Sequence, residues 1–544
     1  MTTVRSVSVR SVAIAAGVIC LLVFLRSLFC GFVNFDDQES ILENVAIRAL
    51  DSNLLISAFS TSMFGFWMPL TWVSYAVDYH FWGPNPVGYH LTNIVLHAVN
   101  TGLVVLVAAR LLKNIREADA EVNQGYLYPV MLLAAGLLWG IHPLRVESVV
   151  WVTERKDVLN GLFALSSVLA YLRYAERTGS GKPGWPSYMV SLVLFACSLM
   201  AKPVTVVLPL MLLVLDQFPL GRLRRGGITP ILLEKVPFLL LSAALSFLTL
   251  RTAVEKDLLV AVDRLSIGER FLVAGNALFE YLRMFVLPVG ILPLHPMPYP
   301  LPLSYFVTSA ASLLLLCYSV HAARRSMALP AVLLLFLLPL LPVLGFLQNG
   351  QQAFAARYTY LPCCVATIAV AALFPAACRE LGWARLRYGA LALVAVMLVL
   401  AGLTQLEIGV WKNSGTLWTS VIERYPVSTA YKSRGSFYLM GGRYSEAVSD
   451  YTAAMEVATG QEKLEIYNLL AGRAIALGSM GRFDESIRDF NAAIDLFPHP
   501  AYYYSRGITF EAMGRPNEAR ADLLRAGPDP PPIRWFVYGK GLSQ

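Results

Sequence analysis

The sequence has little charge. Only 15% of its 544 residues are Asp, Glu, Lys or Arg, whereas 56% are hydrophobic. A soluble chain of this length needs more polar side chains than this to cover its surface. Apolar stretches of about 18–25 residues recur from Ser11 to about Leu403, and each is long enough to cross roughly 30 Å of hydrocarbon as a helix. The composition therefore excludes a soluble protein over this part of the chain and predicts a polytopic membrane domain.

Cysteine and histidine are also scarce, with seven of each. The cysteines lie within or beside apolar stretches, form no Cys-x-x-Cys pair and lack the spacing of metal ligands, so we expect them to be small core residues. The histidines are too scattered to form a zinc site. The sequence thus requires no cofactor, although a divalent metal ion held by neighbouring carboxylates stays open as an alternative.

Basic residues lie in alternate loops between the apolar stretches. Because cytoplasmic loops are enriched in Lys and Arg, this pattern assigns these loops to the inner side of the membrane. The net charge of +8 is then a signal of topology and of lipid headgroups, and not of nucleic-acid binding. The loops concerned contain Arg110 and Lys113, Arg173 and Arg177, Arg222, Arg224 and Arg225, and Arg324 and Arg325.

Residues 267–288 decide the number of spans. They are long enough to cross the membrane but carry Glu269, Arg270, Glu280 and Arg283. If they lie along the outer interface as an amphipathic helix, every basic loop is inside and the chain has eleven spans; if they cross, it has twelve. We predict eleven spans, which place the C-terminal region on the outer side together with the first loop.

The composition after residue 410 becomes that of a soluble domain, and a pattern repeats there. Segments that begin with Gly-Arg start at Gly442, Gly481 and Gly514, so their spacings of 39 and 33 residues bracket the period of about 34 that is typical of tetratricopeptide repeats. Residues 411–544 are therefore predicted to form a short α-solenoid behind an all-α membrane domain of residues 1–410. A packing or dimerisation module and a peptide-binding groove are both compatible with it.

The first outer loop, residues 31–88, is acidic and rich in aromatic residues. It begins with "NFDDQES", in which Asp36 and Asp37 are adjacent. Such a pair can simply start a solvated loop or cap a helix. It can also supply a general base, because a carboxylate that faces cations stays ionised and able to accept a proton. We predict this second role, with Asp36 favoured over Asp37 as the base.

Four basic side chains lie at the outer ends of apolar stretches, where the orientation rule does not predict Lys or Arg: Arg155, Lys156, Lys202 and Arg357. They can snorkel or pair with carboxylates such as Glu147. They can instead bind a lipid phosphate and stabilise it as it departs, while a carboxylate deprotonates an acceptor hydroxyl. We predict a donor-phosphate site formed by these cations, with Glu147 and Tyr358 as neighbouring candidates.

His90 is a further candidate. It lies seven residues before His97, so the two share a face of the second apolar helix, with Asn93 between them. Polar groups on such a face serve helix packing in most membrane proteins. A contact near the donor sugar is the functional alternative for His90.

Several long motifs resemble one known family. They are "NFDDQESILEN", "FWMPLTWVSYAVDYHFWGPNPVGYHLTNIVLHAVN", "HPLRVESVVWVTERKDVLNGLF", "AKPVTVVLPLMLLVLDQFP", "LPVLGFLQNGQQAFAARYTYLP" and "WKNSGTLWTSVIERYP". Together and in this order they resemble the transmembrane-and-tetratricopeptide-repeat (TMTC-like) O-mannosyltransferases, which belong to the GT-C class of glycosyltransferases. Two features of this sequence differ from the pattern of that family: Ala356 stands in place of an Asp before the Arg-Tyr-Thr-Tyr-Leu-Pro run, and the repeat array is short.

The resemblance implies a GT-C-like fold and a catalytic acidic motif at Asp36–Asp37. It also implies transfer of a sugar, usually mannose, from a polyprenyl phosphate to Ser or Thr hydroxyls on the outer face. We therefore expect an inverting membrane glycosyltransferase whose partners are a polyprenyl-phosphate-linked sugar, an acceptor protein or glycan, and the bilayer. Transfer to a lipid or glycan is one alternative.

A second alternative is a non-catalytic scaffold that recruits partners through its repeats. Two or three spans would anchor a scaffold, so about eleven spans with polar outer boundaries favour the enzyme. A transporter would need charges near the middle of the bilayer and related halves, for which the sequence offers little support. Arg-rich usage and the compact repeats favour a bacterial inner membrane with periplasmic repeats; the alternative is the endoplasmic reticulum with luminal repeats.

Overall fold

The computed structural model describes residues 7–62, 67–113, 117, 127–255, 265–345, 352–381 and 386–528. The chain divides into two compact units. The membrane unit comprises Met1–Gly31 and Glu39–Gly409, and the repeat unit comprises Phe32–Gln38 and Val410–Gln544. The prediction of an all-α protein with a C-terminal repeat array is confirmed: the described residues form helices throughout and only two short strands, His295–Pro296 and Gln352–Phe354.

The membrane unit is built from helices of very different length. Its α-helices are Val9–Phe24, Ser52–Ser60, Pro69–Trp82, Pro86–Leu111, Leu127–Gly140, Val146–Val150, Arg155–Gly179, Trp185–Ala201, Leu208–Gln217, Arg222–Gly226, Ile228–Glu255, Ile267–Val286, Leu303–Ala322, Ala328–Leu337, Pro362–Leu381 and Leu386–Val410. Short helical turns precede or join several of them, at Leu25–Phe29, Gln38–Leu42, Val45–Ile47, Pro143–Arg145, Val152–Glu154, Pro203–Val207, Leu338–Val343 and Ala356–Thr359.

Six of these helical stretches are long and apolar enough to cross a membrane: Val9–Phe29, Pro86–Leu111, Val152–Gly179, Ile228–Thr252, Leu303–Ala322 and Tyr388–Val410. A bent pair, Leu127–Gly140 with Pro143–Val150, raises the number to seven. Four further helices are also apolar but shorter: Trp185–Ala201, Pro203–Gln217, Ala328–Val343 and Pro362–Pro375. The predicted eleven spans are reached only if the bent pair and all four shorter helices cross, so that count stays a prediction.

The breaks in these helices come from proline and set the position of polar side chains. Pro143 starts a new helical turn after Gly140, and the two halves of the pair bend by 53°. Lys202 is extended between the end of one helix at Ala201 and Pro203, which begins the next turn. Proline lacks the amide hydrogen that would continue a helix, so polar residues at these breaks project from irregular backbone.

The helix Ile267–Val286 begins with a capping box, in which Ser266 and Glu269 bind each other's backbone amides. It packs closely against Leu303–Ala322, because Ser312 Oγ donates to the Gly275 carbonyl at 2.8 Å and Gly275 leaves no room for a side chain. It is not among the helices that are apolar enough to cross. Its place along the outer interface therefore stays a prediction.

The repeat unit contains three antiparallel helix pairs after an initial helix. Each turn within a pair holds a glycine with φ near +70°, at Gly442, Gly481 and Gly514, a conformation that favours glycine over other residues. This conformation explains the repeated Gly-Arg of the sequence. The α-helices are Ser414–Arg424, Ser428–Met440, Tyr444–Val457, Ile466–Ser479, Phe483–Leu496, Pro500–Ala512 and Pro516–Ala526, with a short turn at Gly460–Glu465.

The core of the repeats contains a large side chain at the equivalent position of each helix pair. Tyr451 and Phe490 are almost fully buried between the helices of the first two pairs. The equivalent Leu523 of the last pair is half-buried. Small residues let neighbouring helices approach, since a β-carbon on Gly472 would come within 2.6 Å of the Tyr451 ring. Large and small residues therefore alternate across each interface, as a close-packed core requires.

A segment of the first loop belongs to the repeat unit. In Phe32–Gln38, the Asn34 amide donates to Ser414 Oγ at 2.9 Å, and the Asn34 side chain donates to the Ser433 carbonyl at 2.7 Å. Trp418 Nε1 donates to Asn34 Oδ1 at 2.7 Å, and its ring packs edge to face on Phe35. The chain thus leaves the membrane unit at Gly31 and returns to it at Glu39.

Candidate functional site

Asp36 and Asp37 differ in environment. Asp37 is buried, and its Oδ2 accepts a hydrogen bond from the Val33 amide at 2.9 Å, which closes the turn between them. Asp36 is partly exposed to solvent. Both lie in the segment that packs with Ser414 and Trp418, and not in the membrane unit with the four predicted cations.

Within the membrane unit, three of the predicted cations converge on Glu154. Lys156 Nζ lies 3.1 Å from Glu154 Oε1, Lys202 Nζ lies 3.0 Å from Oε2, and Arg357 Nε lies 3.5 Å from Oε1. These side chains come from three separate places in the sequence. Lys202 also contacts Asp157 Oδ1 at 2.6 Å, so the cluster holds a second buried carboxylate.

Glu147 and Arg357 join two loops of the membrane unit. Glu147 Oε2 accepts a hydrogen bond from the Arg357 amide at 2.8 Å, and its Oε1 pairs with the Arg357 guanidinium. The Arg357 guanidinium also lies over the rings of Trp151 and Tyr358, at 5.5 and 4.8 Å from their centres. The structure therefore brings together five of the predicted site residues: Glu147, Lys156, Lys202, Arg357 and Tyr358.

Arg155 forms a separate, adjoining cluster. Its Nη2 donates to Asp78 Oδ2 at 2.6 Å and to the Tyr89 carbonyl at 2.9 Å, and its Nε donates to the Asn93 side chain. The guanidinium is fully buried above the Tyr75 ring. A buried ion pair of this kind links the two helices that carry Asp78 and Asn93 to the start of the helix Arg155–Gly179.

His90 is buried on the helix that carries Asn93. Over the part of the chain that the structure describes, neither of its ring nitrogens meets the geometry of a hydrogen bond. His97, on the same face, uses both ring nitrogens: Nε2 donates to the Gly140 carbonyl at 2.8 Å, and Nδ1 lies 2.9 Å from the Tyr360 hydroxyl. The structure thus uses His97 for helix packing and brings His90 into neither ionic cluster.

Two features of this region were not predicted from the sequence. Glu154 pairs with three cations but was not among the predicted site residues. Its position in "TERKD" beside Arg155 and Lys156 was the available signal. Arg145 is fully buried, and its Nη2 donates to Thr359 Oγ1 at 2.5 Å. Among the described residues, no carboxylate lies within 4.0 Å of it, so its charge is not neutralised by a direct ion pair.

The two adjoining clusters together are balanced in formal charge by direct pairing. The charges of Arg155, Lys156, Lys202 and Arg357 equal those of Asp78, Glu147, Glu154 and Asp157, and Arg145 adds one further positive charge. Burial lowers the pKa of Lys202, but the nearby charges of Asp157 and Glu154 outweigh it and leave that pKa raised. Burial acts likewise on Arg357, whose pKa is raised overall by Tyr358, Glu147 and Glu154. Both side chains therefore stay cationic at neutral pH.

A metal site does not emerge from the described residues, since no three His, Cys, Asp or Glu side chains there lie close enough to hold an ion. Two adjacent carboxylates can still bind a divalent cation together with a ligand phosphate. A metal ion at Asp36 and Asp37, which the sequence does not require, therefore stays an open alternative.

Comparison with known proteins shows which proteins this chain resembles. A tetratricopeptide-repeat family model matches residues 472–531. The chain is 31% identical over 214 residues to the protein O-mannosyl-transferase Tmtc1 of Drosophila melanogaster, which is 38% of this chain and 22% of that protein. It is also 30% identical over 167 residues to TMTC2 of Homo sapiens, which is 31% of this chain and 18% of that protein.

This chain is similar to the TMTC-like protein O-mannosyl-transferases. The resemblance seen in the motifs is therefore confirmed, as is the repeat family at the C-terminus. The matched region spans about a fifth of the length of these curated relatives. No solved structure matches the chain significantly.

Proposed function

We propose that this protein is a membrane glycosyltransferase that transfers a sugar, in the first instance mannose, from a polyprenyl phosphate to a Ser or Thr hydroxyl of a protein. The observation that supports it best is the convergence of Lys156, Lys202 and Arg357 on Glu154. Cations gathered at helix breaks are suited to a phosphate that must leave with negative charge. The similarity to relatives named protein O-mannosyl-transferases supports the same reaction class.

In the proposed reaction, the Asp36 carboxylate accepts the proton of the acceptor hydroxyl. The hydroxyl oxygen forms a bond to the anomeric carbon, and the bond from that carbon to the phosphate oxygen breaks. The electron pair leaves with the lipid phosphate, whose charge the cations of the membrane unit stabilise. A single displacement of this kind inverts the anomeric centre. The partial exposure of Asp36, compared with the buried Asp37, supports Asp36 as the base.

The first experiment replaces each acid in turn. Asp36→Asn removes the proton acceptor at nearly constant shape, and loss of a general base lowers the rate by roughly 100- to 10,000-fold. We expect this loss in mannose transfer from polyprenyl-phosphate mannose to a Ser/Thr-rich acceptor protein. Asp37→Asn tests the alternative assignment. Full transfer activity in the single variants and in the double variant would remove the catalytic role from this stretch.

The phosphate site is tested separately by binding. Lys156→Gln is the sharpest variant because the Lys156 side chain is 12% exposed and its partner Glu154 still pairs with Lys202 and Arg357. Loss of Arg155 or Arg357 would instead remove the cation that pairs with Asp78 or Glu147. We expect weaker binding of bare polyprenyl phosphate, with unchanged folding. Arg110→Gln is the matched control, since Arg110 pairs with Glu176 in a different and exposed place. Equal affinity in Lys156→Gln and Arg110→Gln would leave Lys156 as a structural partner of Glu154.

The alternative hypotheses about function predict different results in these assays. A scaffold would bind partners through its repeats and show no transfer from any polyprenyl-phosphate sugar. Transfer to a lipid or glycan would label those molecules and not protein. For location, we propose a membrane with the repeats on the outer or luminal side; the two relatives described above are animal proteins, so the endoplasmic reticulum is now the first location to test and the bacterial inner membrane the second.

A further inference from the structure

A small cavity lies in the membrane unit beside the cation cluster. It is lined by Ser40 from the short helix Gln38–Leu42, by one face of the helix Pro69–Trp82, and by the turn that leads to Lys156. The full lining is Ser40, Met68, Thr71, Trp72, Tyr75, Thr153 and Lys156. The cavity volume is about 10 Å³. By the same measure a single water needs ~10–15 Å³, so the cavity has room for one hydroxyl-sized group.

One wall of this cavity has an unused hydrogen-bonding group. Ser40 is fully buried, and within the described chain its Oγ has no hydrogen-bond partner. The neighbouring hydroxyls are engaged: Thr71 Oγ1 donates to the Ala201 carbonyl at 2.9 Å, and the Tyr75 hydroxyl donates to the Thr153 carbonyl at 2.9 Å. An unsatisfied buried hydroxyl costs free energy, so a polar group that entered the cavity would be stabilised by Ser40.

Lys156 connects the cavity to the phosphate-binding cations. Its side chain lines the cavity, while its Nζ pairs with Glu154, the carboxylate on which Lys202 and Arg357 also converge. In a sugar joined to a lipid phosphate, the ring hydroxyls lie within one ring of the phosphate. A phosphate held by this cluster would therefore place a sugar hydroxyl within reach of the cavity.

We infer that this cavity is a hydroxyl subsite for the donor sugar, in which Ser40 and Lys156 bind one ring hydroxyl. This inference rests on the proposed function and extends it, because it identifies residues that select the sugar. A site built to bind a hydroxyl discriminates against an analogue that presents it differently, since the buried polar group then stays unpaired. Ser40 would thus help to distinguish epimers such as mannose and glucose.

The test compares two ligands on the full-length protein in lipid nanodiscs, with no acceptor present. Affinities are measured for polyprenyl-phosphate mannose and for bare polyprenyl phosphate, and their ratio isolates the contribution of the sugar. Ser40→Ala removes only the hydroxyl. We expect the ratio to fall by about 3- to 10-fold, the effect of one hydrogen bond, while the affinity for the bare lipid stays unchanged. Ser60→Ala is the matched control, because Ser60 is exposed and bonds only to its own helix.

Each contrary result has a defined meaning. An unchanged ratio in Ser40→Ala would overturn the inference and leave the cavity as a site for one water. Equal loss for both ligands would also overturn it, because the cavity would then serve the lipid or the fold. If the wild-type protein transfers mannose and yet the ratio does not move, only the subsite fails; if it binds neither ligand, the proposed function fails as well. A narrower preference for mannose over glucose in Ser40→Ala would support the inference independently.

Discussion

The two units of this protein stabilise their charges in opposite ways. In the repeat unit, the same ion pair recurs at a fixed spacing: Arg434 with Asp450, Arg473 with Asp489 and Arg506 with Asp522, each sixteen residues apart and each joined by two hydrogen bonds of 2.6–2.9 Å. In the membrane unit, Glu154 pairs with the neighbouring Lys156 and with Lys202 and Arg357 from distant parts of the chain. Arg155 pairs with Asp78 across 77 residues.

The difference shows what each arrangement is suited for. A regular ladder links each helix pair within itself and is readily extended by adding repeats, so its role is structural. An irregular cluster of cations and carboxylates at helix breaks concentrates charge in one place. Such concentrations are expensive in a membrane protein and are typical of functional sites. The comparison therefore supports the proposal that the ligand binds in the membrane unit, whereas the repeat ladder is structural.

The largest expected effect concerns the sides of the membrane on which the C-terminal repeats and the basic loops lie. Met480→Cys introduces a thiol beside the turn at Gly481 in the repeat unit, and Ser180→Cys introduces one in a basic loop of the membrane unit. An impermeant thiol reagent should label the first in intact cells and the second only after permeabilisation, because the basic loops are predicted to be inside. The parent chain with Cys317→Ser gives the background. Labelling of both thiols in intact cells would contradict the predicted orientation.

The second-largest expected effect is the loss of stability when a carboxylate is removed from each kind of ion pair. Asp78→Asn leaves the fully buried Arg155 without its partner and should lower the free energy of unfolding by about 3–5 kcal/mol. Asp489→Asn should cost only about 1–2 kcal/mol, because the Arg473 side chain is 24% exposed and can be hydrated. Denaturant unfolding, together with hydrogen exchange in each unit, measures the loss in free energy of unfolding for both variants. Equal costs would show that the two arrangements are energetically alike.

A smaller effect tests the packing of the repeat ladder. Gly472→Ala would bring a methyl group to 2.6 Å from the Tyr451 ring and should destabilise the repeat unit by about 1–3 kcal/mol. Gly441→Ala is the control, because the added carbon would sit at an ordinary 3.4 Å from the nearest atom. Thermal unfolding followed by circular dichroism reports the difference. A Gly472→Ala protein as stable as Gly441→Ala would mean that Tyr451 shifts without cost.

The smallest expected effect is a dependence of stability on pH in the helix Pro500–Ala512 of the repeat unit. Burial lowers the pKa of His499, whose Nδ1 accepts the Ala501 amide and caps the helix Pro500–Ala512. The unfolded chain therefore binds the proton more readily, so this stability is complete above pH ~6.5 and decreases by up to about 1 kcal/mol per unit below it. His499→Asn keeps a cap and should remove this decrease. Hydrogen exchange of that helix between pH 5.5 and 7.5 provides the measurement.

Much of the fold could be predicted from the sequence because it depends on local chemistry. Continuous apolar stretches specify helices that can cross a bilayer, since no other open structure satisfies the backbone there. Gly442, Gly481 and Gly514 mark turns because their backbone is left-handed, and the residues between them keep the helical period of a repeat. These signals lie within a few residues of each other, so one sequence was enough to interpret them.

The candidate site depended on contacts that no local pattern encodes. The basic side chains of "TERKD", "AKP" and "AARY" could be named, but not the fact that Lys156, Lys202 and Arg357 meet at Glu154 while Arg155 turns to Asp78. Nor did any pattern show that "VNFDD" packs with Ser414 and Trp418 in the repeat unit. Residue types determined which charges were available, because ionisable groups are rare in apolar sequence; the tertiary structure alone decided how they pair, because pairing is set by which helix breaks come together in space.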